Sequence, residues 1–451
     1  MKSRISFFNW ATVKKDITRF IPLWALYTVV LLIFMLPEVS GGYYHPALEL
    51  NSLIMVMGFF SLIYGMLTAQ LLFGELFNSR LCNGLHALPV TRLARFCSHL
   101  ISGLAFSFVP NFLICLLMMP SLEEFWYTAL LWMVAVDMQY VFFFAVGVLS
   151  VMCSGSRFAA VLVYGILNFF AYIAYWFVSV VFIPMMPGVV LNNELFVHFC
   201  PAVKLIAMNY YIKIDWYNCE YTGPFFGGLG ESWGYLGIVF AIAVGLLVFS
   251  FLLYRRRKLE CAGEFVVVKW FKPIFLVLYT LSAGALLSLF GSLFSLFYND
   301  YGELIMLIPG LIIGFFTGKM LMERTIRVFK KWNFLQAGIF AVAILLCVGA
   351  VKMDLLGIVR YVPDLEDIEY IKVDRSNAWN QKLYLDEDKQ DVLDIHNLLV
   401  GTDCDRECGN AHFYFHVEYH MKDGSTIIRE YSNVCRGTQV ARMINSLPNG
   451  K

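Results

Sequence analysis

Long unbroken apolar runs, separated by short polar segments, fill the first 351 positions of this chain. Nine of them approach the roughly 20 residues a helix needs to cross about 30 Å of hydrocarbon. They lie near Phe20–Leu36, Leu50–Phe73, Ser98–Met119, Phe125–Met152, Phe158–Met186, Trp233–Tyr254, Ile274–Phe297, Leu304–Leu321 and Phe334–Val351. The runs are continuous rather than alternating, which argues against a transmembrane β-barrel. Beyond residue 351 the pattern changes. Ile368–Asp374 and Gln381–Leu385 read as strands, and Lys389–Val400 reads as a helix with Val392, Ile395, Leu398 and Leu399 on one side. Ala411–Met421 and Ser425–Val434 form a predicted hairpin turning at Lys422-Asp423-Gly424. Gln439–Leu447 is a predicted final helix. The fold class expected is an all-α polytopic membrane protein of about nine transmembrane helices, carrying a small α+β domain at its C-terminus.

Ahead of the first run, residues 7–19 have helical periodicity. Phe7, Trp10, Val13 and Ile17 share one face, with Asn9, Thr12, Lys15, Asp16 and Arg19 opposite. This predicts an amphipathic elbow helix lying in the membrane interface, its Trp at headgroup level. The segment is too long and amphipathic for a cleavable signal. Composition agrees with the membrane reading: 59% of the residues are hydrophobic and only 15% charged, against about a quarter charged in soluble domains.

The net charge of +1 conceals an alternation. Basic residues fill every second loop: Lys14, Lys15 and Arg19; Arg80, Arg92 and Arg95; Arg157; Arg255 to Lys258; and Arg324, Arg327, Lys330 and Lys331. The intervening loops carry Glu38, Glu123, Glu124, Asp300 and Glu303. Positive loops stay in the cytoplasm. The expected orientation in the plasma membrane is N-terminus inside and C-terminal domain outside.

The loop between the second and third runs, Phe77-Asn-Ser-Arg-Leu-Cys-Asn-Gly-Leu-His-Ala-Leu-Pro-Val-Thr-Arg92, holds a small residue, a Leu, then Leu-Pro-Val-Thr-Arg. With the elbow before it and six spans around it, this resembles the first cytoplasmic loop of ABC-2 type transporter permeases, in a longer bacterial form. The resemblance covers about the first 260 residues. It implies a six-span core at 1–258, three additional spans at 259–351 and an extracellular domain at 352–451. It also implies that the loop is a coupling helix pressing on a separate ATPase, through Arg80, Gly84, Leu88, Pro89 and Arg92. Pro89 is expected to end that helix, and Arg92 to face the ATPase or lipid phosphates. The aromatic, glycine-rich stretch Pro187 to Ser232 matches the family's outer loop, with Phe196–Tyr211 as the re-entrant candidate.

On this resemblance the chain is a permease subunit, not an enzyme, and holds no cofactor; ATP and Mg belong to the partner. The partners implied are a cytoplasmic ATPase dimer, a second permease (the same chain or a sister) and the lipid bilayer. The substrate implied is an exported amphipathic molecule such as an antimicrobial peptide, drug or lipid. The alternative is a non-transporting membrane sensor or scaffold whose outer domain binds a ligand; a third reading is a lipid-modifying membrane enzyme. No hydrolase or zinc-protease motif supports the third, and nucleic-acid binding lacks a basic patch beyond the short loops. Gly314–Lys319 only superficially resembles a phosphate loop, since Lys-Met follows the glycine and the stretch lies in an apolar run.

Asp137 and Gln139 fall in the middle of the fourth run. A carboxylate there is costly, and serves either a substrate path or an interhelical hydrogen bond. Gly310, Gly314 and Gly318, and Gly284, Ser288 and Ser292, are small-residue stripes that predict close helix packing. Cys200, Cys219, Cys404, Cys408 and Cys435 fall in outside segments, where disulfides persist. The preferred pairs are Cys200–Cys219 and Cys404 or Cys408 with Cys435. His412, His416 and His420 share a strand face with Glu418. Neighbours four apart on a strand stand roughly 13 Å apart, too far to share one metal ion easily, so no metal site is expected.

Overall fold

The computed structural model describes residues 8–40, 46–86, 89–122, 126–183, 186–191, 193–207, 230–258, 261–293, 302–374, 382–384, 389–401, 412–435 and 443. In chain order these form α1 (Trp10–Arg19), α2 (Ile21–Ser40), α3 (Pro46–Leu72), α4 (Ser79–His86), α5 (Arg92–Met118), α6 (Trp126–Cys153) and α7 (Arg157–Val181). Then follow β1 (Gly188–Val189), α8 (Asn193–His198), α9 (Pro201–Ala207), α10 (Gly230–Arg256), α11 (Phe271–Leu293), α12 (Gly302–Glu323) and α13 (Lys331–Lys352). The C-terminal part holds β2 (Ile368–Asp374), β3 (Lys382–Tyr384), α14 (Lys389–Gly401), β4 (His412–Met421) and β5 (Thr426–Cys435).

Eight of these helices are long and apolar enough to cross a membrane, and α1 with α2, bent by 61°, makes up to nine. The protein is thus of multi-pass membrane type. The chain divides into two compact units that interleave along the sequence. One comprises residues 1–173, 195–282 and 313–328; the other comprises 174–194, 283–312 and 329–451.

In the first unit α6 is the central helix, buried along most of its length. Glycine lets α3 approach it closely. A Cβ on Gly65 would stand 2.7 Å from the Phe144 nitrogen, and one on Gly147 would stand 3.1 Å from the Gly65 oxygen. Small residues at a crossing bring backbones together where no hydrophobic force separates protein from lipid. Tyr27 of α2 stacks on Tyr64 of α3 at 4.3 Å. Tyr64 and Tyr140 donate to the carbonyls of Phe106 and Gly103 on α5, so their buried hydroxyls are satisfied.

A second close approach binds the stretch after α10 to the turn between α6 and α7. Gly263 N donates to Gly155 O (2.7 Å) and Val267 N to Cys153 O (2.9 Å), with Ser154 bridging Val266. A Cβ on Gly155 would meet Glu264 O at 2.4 Å and Cys261 O at 2.5 Å, so only glycine fits.

In the other unit, Gly310 of α12 sits against Gly284 of α11, where an added Cβ would come within 2.9 Å of the Gly284 Cα. The small-residue stripes meet there, as their spacing predicts. The strands form one antiparallel sheet in the order β1-β5-β4-β2-β3. Phe415, Val417 and Tyr419 alternate into a core with Val392, Leu393, Ile395 and Leu399 of α14. Leu398, expected on the apolar side of that helix, is partly exposed. Gly424 takes a positive φ of 83° at the hairpin turn, which glycine adopts without a Cβ penalty. The two residues of β1, read from sequence as outer loop, complete the sheet edge beside β5. The expected final helix lies outside the described residues apart from Met443.

Candidate functional site at the short-helix end

The first unit gathers its buried charge where α3 ends and α5 begins. A 3-10 turn, Gly74–Phe77, leads into the eight-residue helix α4. Asn78 caps α4, its Oδ1 accepting from Arg80 N at 3.0 Å. Cys82 points inward, and burial pushes its thiol up. Arg80 and Gly84 are exposed, and nothing lies within 4 Å of a Cβ on Gly84. Helix α4 ends at His86, and the exposed Pro89 stands beyond it. Leu88 lies outside the described residues. Thr91 then caps α5 through Ala94 N (3.1 Å).

Arg92 requires a correction. Its Nη1 donates to Arg255 O at 2.8 Å, Arg257 O at 3.2 Å and Tyr254 O at 3.5 Å. It is therefore turned to the C-terminal end of α10 rather than outward to an ATPase or lipid phosphates. The physical reason is the row of carbonyls a helix leaves unsatisfied at its end, which attracts a cation.

Arg257, hidden in sequence within the run Arg255-Arg-Arg-Lys258, performs the same task for α6. Its Nη1 donates to Val151 O (2.8 Å) and Met152 O (3.0 Å), and its Nη2 to Leu76 O (3.3 Å). Only 8% of it is exposed. The two arginines form a reciprocal clasp. The start of α5 holds the end of α10, and the residue after α10 holds the end of α6 and the turn before α4.

The elbow docks on the same end. Asn9 N donates to Ser98 Oγ (2.8 Å), and Asp16 Oδ2 lies 2.7 Å from His99 Nδ1 and accepts from Ser102 Oγ at 3.3 Å. Glu75 Oε1 stands 3.8 Å from His99 Nε2. One expectation changes here. Asp16, assigned to the polar face, is buried at 5% exposure, while Trp10 is 65% exposed. Val13, Asp16 and Phe20 fall within about 60° of one another on the helical wheel, so the carboxylate turns inward once His99 and Ser102 receive it. Val13 is buried and Ile17 packs partly against the core; Phe7 lies outside the described residues.

Asp137 and Gln139 are not brought together, as residues two apart on a helix face different ways. Asp137 Oδ1 accepts from Asn111 Nδ2 (2.6 Å) and Ser107 Oγ (3.1 Å), and Tyr27 donates to Asn111 Oδ1 (3.0 Å). This ties α2, α5 and α6 together. Gln139 Nε2 donates to Leu205 O at 3.4 Å, holding α9. Gly58 lets α9 approach α3, a Cβ there lying 3.4 Å from Leu205 O.

Cys200 requires another correction. It is a free, buried cysteine whose Sγ donates to Asn168 O at 3.2 Å, because the start of α9 turns it into the helical core. Cys219, Cys404 and Cys408 lie outside the described residues; of Cys435 only the strand backbone is described. On the sheet, His416 and His420 flank Glu418 at 3.2 and 3.5 Å. Among the described residues no group of three His, Cys, Asp or Glu side chains is placed to hold a metal ion.

Arg257, Asp16, His99 and Glu75 escaped sequence reasoning. The available signal was a charged residue at the edge of an apolar run, which a snorkelling reading absorbs equally well. Comparison with known proteins gives no match to a family model, to a curated protein or to a solved structure.

Proposed function

We propose that this chain is the membrane-spanning permease subunit of an ABC-2 type transporter, driven by a separate cytoplasmic ATPase, with α4 as the coupling element. The observation that carries the reading is mechanical. A short helix with an exposed outer surface at Arg80 and Gly84 is joined, through the clasp of Arg92 and Arg257, to the ends of α5, α6 and α10. A push on α4 is thereby passed to three long helices. Such a push biases the bundle only if nucleotide binding by the partner favours one arrangement over another. In this reading Arg92 transmits and Arg80 contacts. The six spans of residues 1–258, with the elbow, form the transport core, and the C-terminal domain lies outside the cell. The substrate class is an amphipathic export substrate.

The test is co-purification of the full chain with a co-expressed ABC-type ATPase of the same organism, repeated with Arg80→Glu and Gly84→Trp. Both positions are exposed, so melting temperature stays unchanged while ATPase association and stimulation fall at least tenfold. Unchanged association with either variant removes α4 from the contact. Asp137→Asn checks the substrate route separately. Unaltered transport leaves Asp137 as an interhelical tie alone.

A further inference from the structure

Beneath the elbow the first unit encloses a cavity of about 400 Å³, bordered by α1, the end of α3, the 3-10 turn and the start of α5. This volume lies within the range of small-molecule sites, about 300–1,000 Å³. Four cationic side chains line it, Lys15, Arg19, Arg95 and Arg157, against the two carboxylates of Asp16 and Glu75. The acids are oriented toward His99, whereas among the described residues Lys15, Arg19 and Arg157 enter no ion pair. The surplus is positive. His99 also lines the cavity, with its side chain only 5% exposed. Its Nε2 faces Glu75 Oε1 at 3.8 Å, as its Nδ1 faces Asp16 Oδ2 at 2.7 Å, so both carboxylates of the cavity are shared with the histidine.

We infer that this cavity binds the phosphate group of an anionic amphiphile, with Lys15, Arg19 and Arg157 at its mouth and Arg95 at its floor. Placement favours a lipid as the source. The cavity opens beside a helix that presents Phe8 and Trp10 outward, at 45% and 65% exposure, as interfacial helices do. Basic pockets between membrane helices near the headgroup level suit phosphate headgroups. The inference stands independently of the transport reading, since it concerns what the elbow covers rather than what α4 touches.

The test is native mass spectrometry of the full chain in detergent, titrated with dioleoylphosphatidylglycerol, with dioleoylphosphatidylcholine for comparison. The Lys15→Gln/Arg19→Gln/Arg157→Gln variant replaces exposed side chains, so it folds; an unchanged melting temperature verifies this. Wild-type protein is expected to retain one phosphatidylglycerol at least tenfold more tightly than the variant and than it retains phosphatidylcholine. Changing both arginines to lysine should restore most of the binding. Displacement of the lipid by sn-glycerol 3-phosphate assigns the cavity to a soluble phosphate ester, and its failure assigns it to the lipid. Equal retention by wild type and variant overturns the inference. So does an equal loss in a Lys14→Gln/Arg80→Gln/Arg256→Gln control, whose charges lie outside the cavity.

Discussion

His99, at the short-helix end of the first unit, and His396, in the core of the sheet unit, are both almost fully buried, in opposite surroundings. Each ring nitrogen of His99 faces a carboxylate, Asp16 on one side and Glu75 on the other. His396 is packed between the rings of Tyr419 and Tyr431, its Nδ1 2.8 Å from the Tyr419 hydroxyl, with Arg429 nearby. The contrast extends to the regions around them. The helical end is held by charged side chains reaching backbone carbonyls and each other. The sheet unit is held by an apolar layer that has drawn a histidine inside and keeps it neutral. Burial, with a smaller contribution from Arg429, lowers the His396 pKa from 6.5 to about 4. One region therefore depends on charge being present and the other on its being absent.

The largest expected effect breaks the charged side of this contrast. Arg257→Ala removes three bonds from a guanidinium to buried carbonyls. At about 1.5–3 kcal/mol for a charge-assisted bond, two well-made ones alone cost about 4 kcal/mol. Thermal unfolding in detergent should show the loss, and Arg257→Lys should recover only part of it. A variant as stable as the parent would mean that the clasp holds nothing.

Acid sharpens the other side. The unfolded chain protonates His396 near 6.5 while the folded unit resists until about 4, so the stabilisation is full above 6.5, declines as pH falls, and is gone below about 4. The whole interval amounts to about 3 kcal/mol. Hydrogen exchange of β2, β4 and β5 in the full chain should accelerate across it, and His396→Leu should flatten the response. Exchange rates independent of pH in the parent, after correction for intrinsic chemistry, would contradict this.

Asp16→Asn should have a smaller effect. It removes the charge facing His99 while keeping an oxygen for Ser102, at an expected cost of about 1–2 kcal/mol. The local readout is proteolytic access to α1, which should rise. Arg80→Ala closes the series, with a change within about 0.5 kcal/mol because the side chain is exposed. A larger loss would move Arg80 from the contacting surface into the supporting framework.

Much of the architecture was legible from the chain because lipid-crossing helices declare themselves by length and apolarity. The elbow emerged as a separate helix, and the hairpin turned where Asp423-Gly424 required. The face opposite His416, Glu418 and His420, made by Phe415, Val417 and Tyr419, fills the core as strand alternation requires. The polar groups at helix ends were less readable. Arg92 and Arg257 satisfy carbonyls contributed by helices 100 or more positions away, and no local pattern encodes that encounter. Asp16 misled for a related reason: a wheel assigns sides by residue type, whereas burial follows the partner that meets the residue. The close crossings showed a similar split. The two stripes containing Gly284 and Gly310 were visible by their spacing, whereas the row Ser61, Gly65 and Ala69 that meets Gly147 was passed over because bulky residues surround it. Cys200 was grouped with outside cysteines by topology, yet the short helix it precedes folds back into the bundle. Of the β1 edge nothing was readable, since two residues carry no periodicity.

That edge limits how the C-terminal domain can be handled on its own. Gly188 and Val189 pair with Glu430 and Arg429, and Gly188 fits under the Tyr431 ring, where a Cβ would stand 2.3 Å from it. A recombinant fragment beginning at residue 352 would lack this cover and leave the outer margin of β5 with bare amide and carbonyl groups, a template for stacking copies into aggregates. To stay monomeric in crystallisation or binding work, such a tail fragment would need residues 187–191 grafted on, or a charged residue introduced on that margin.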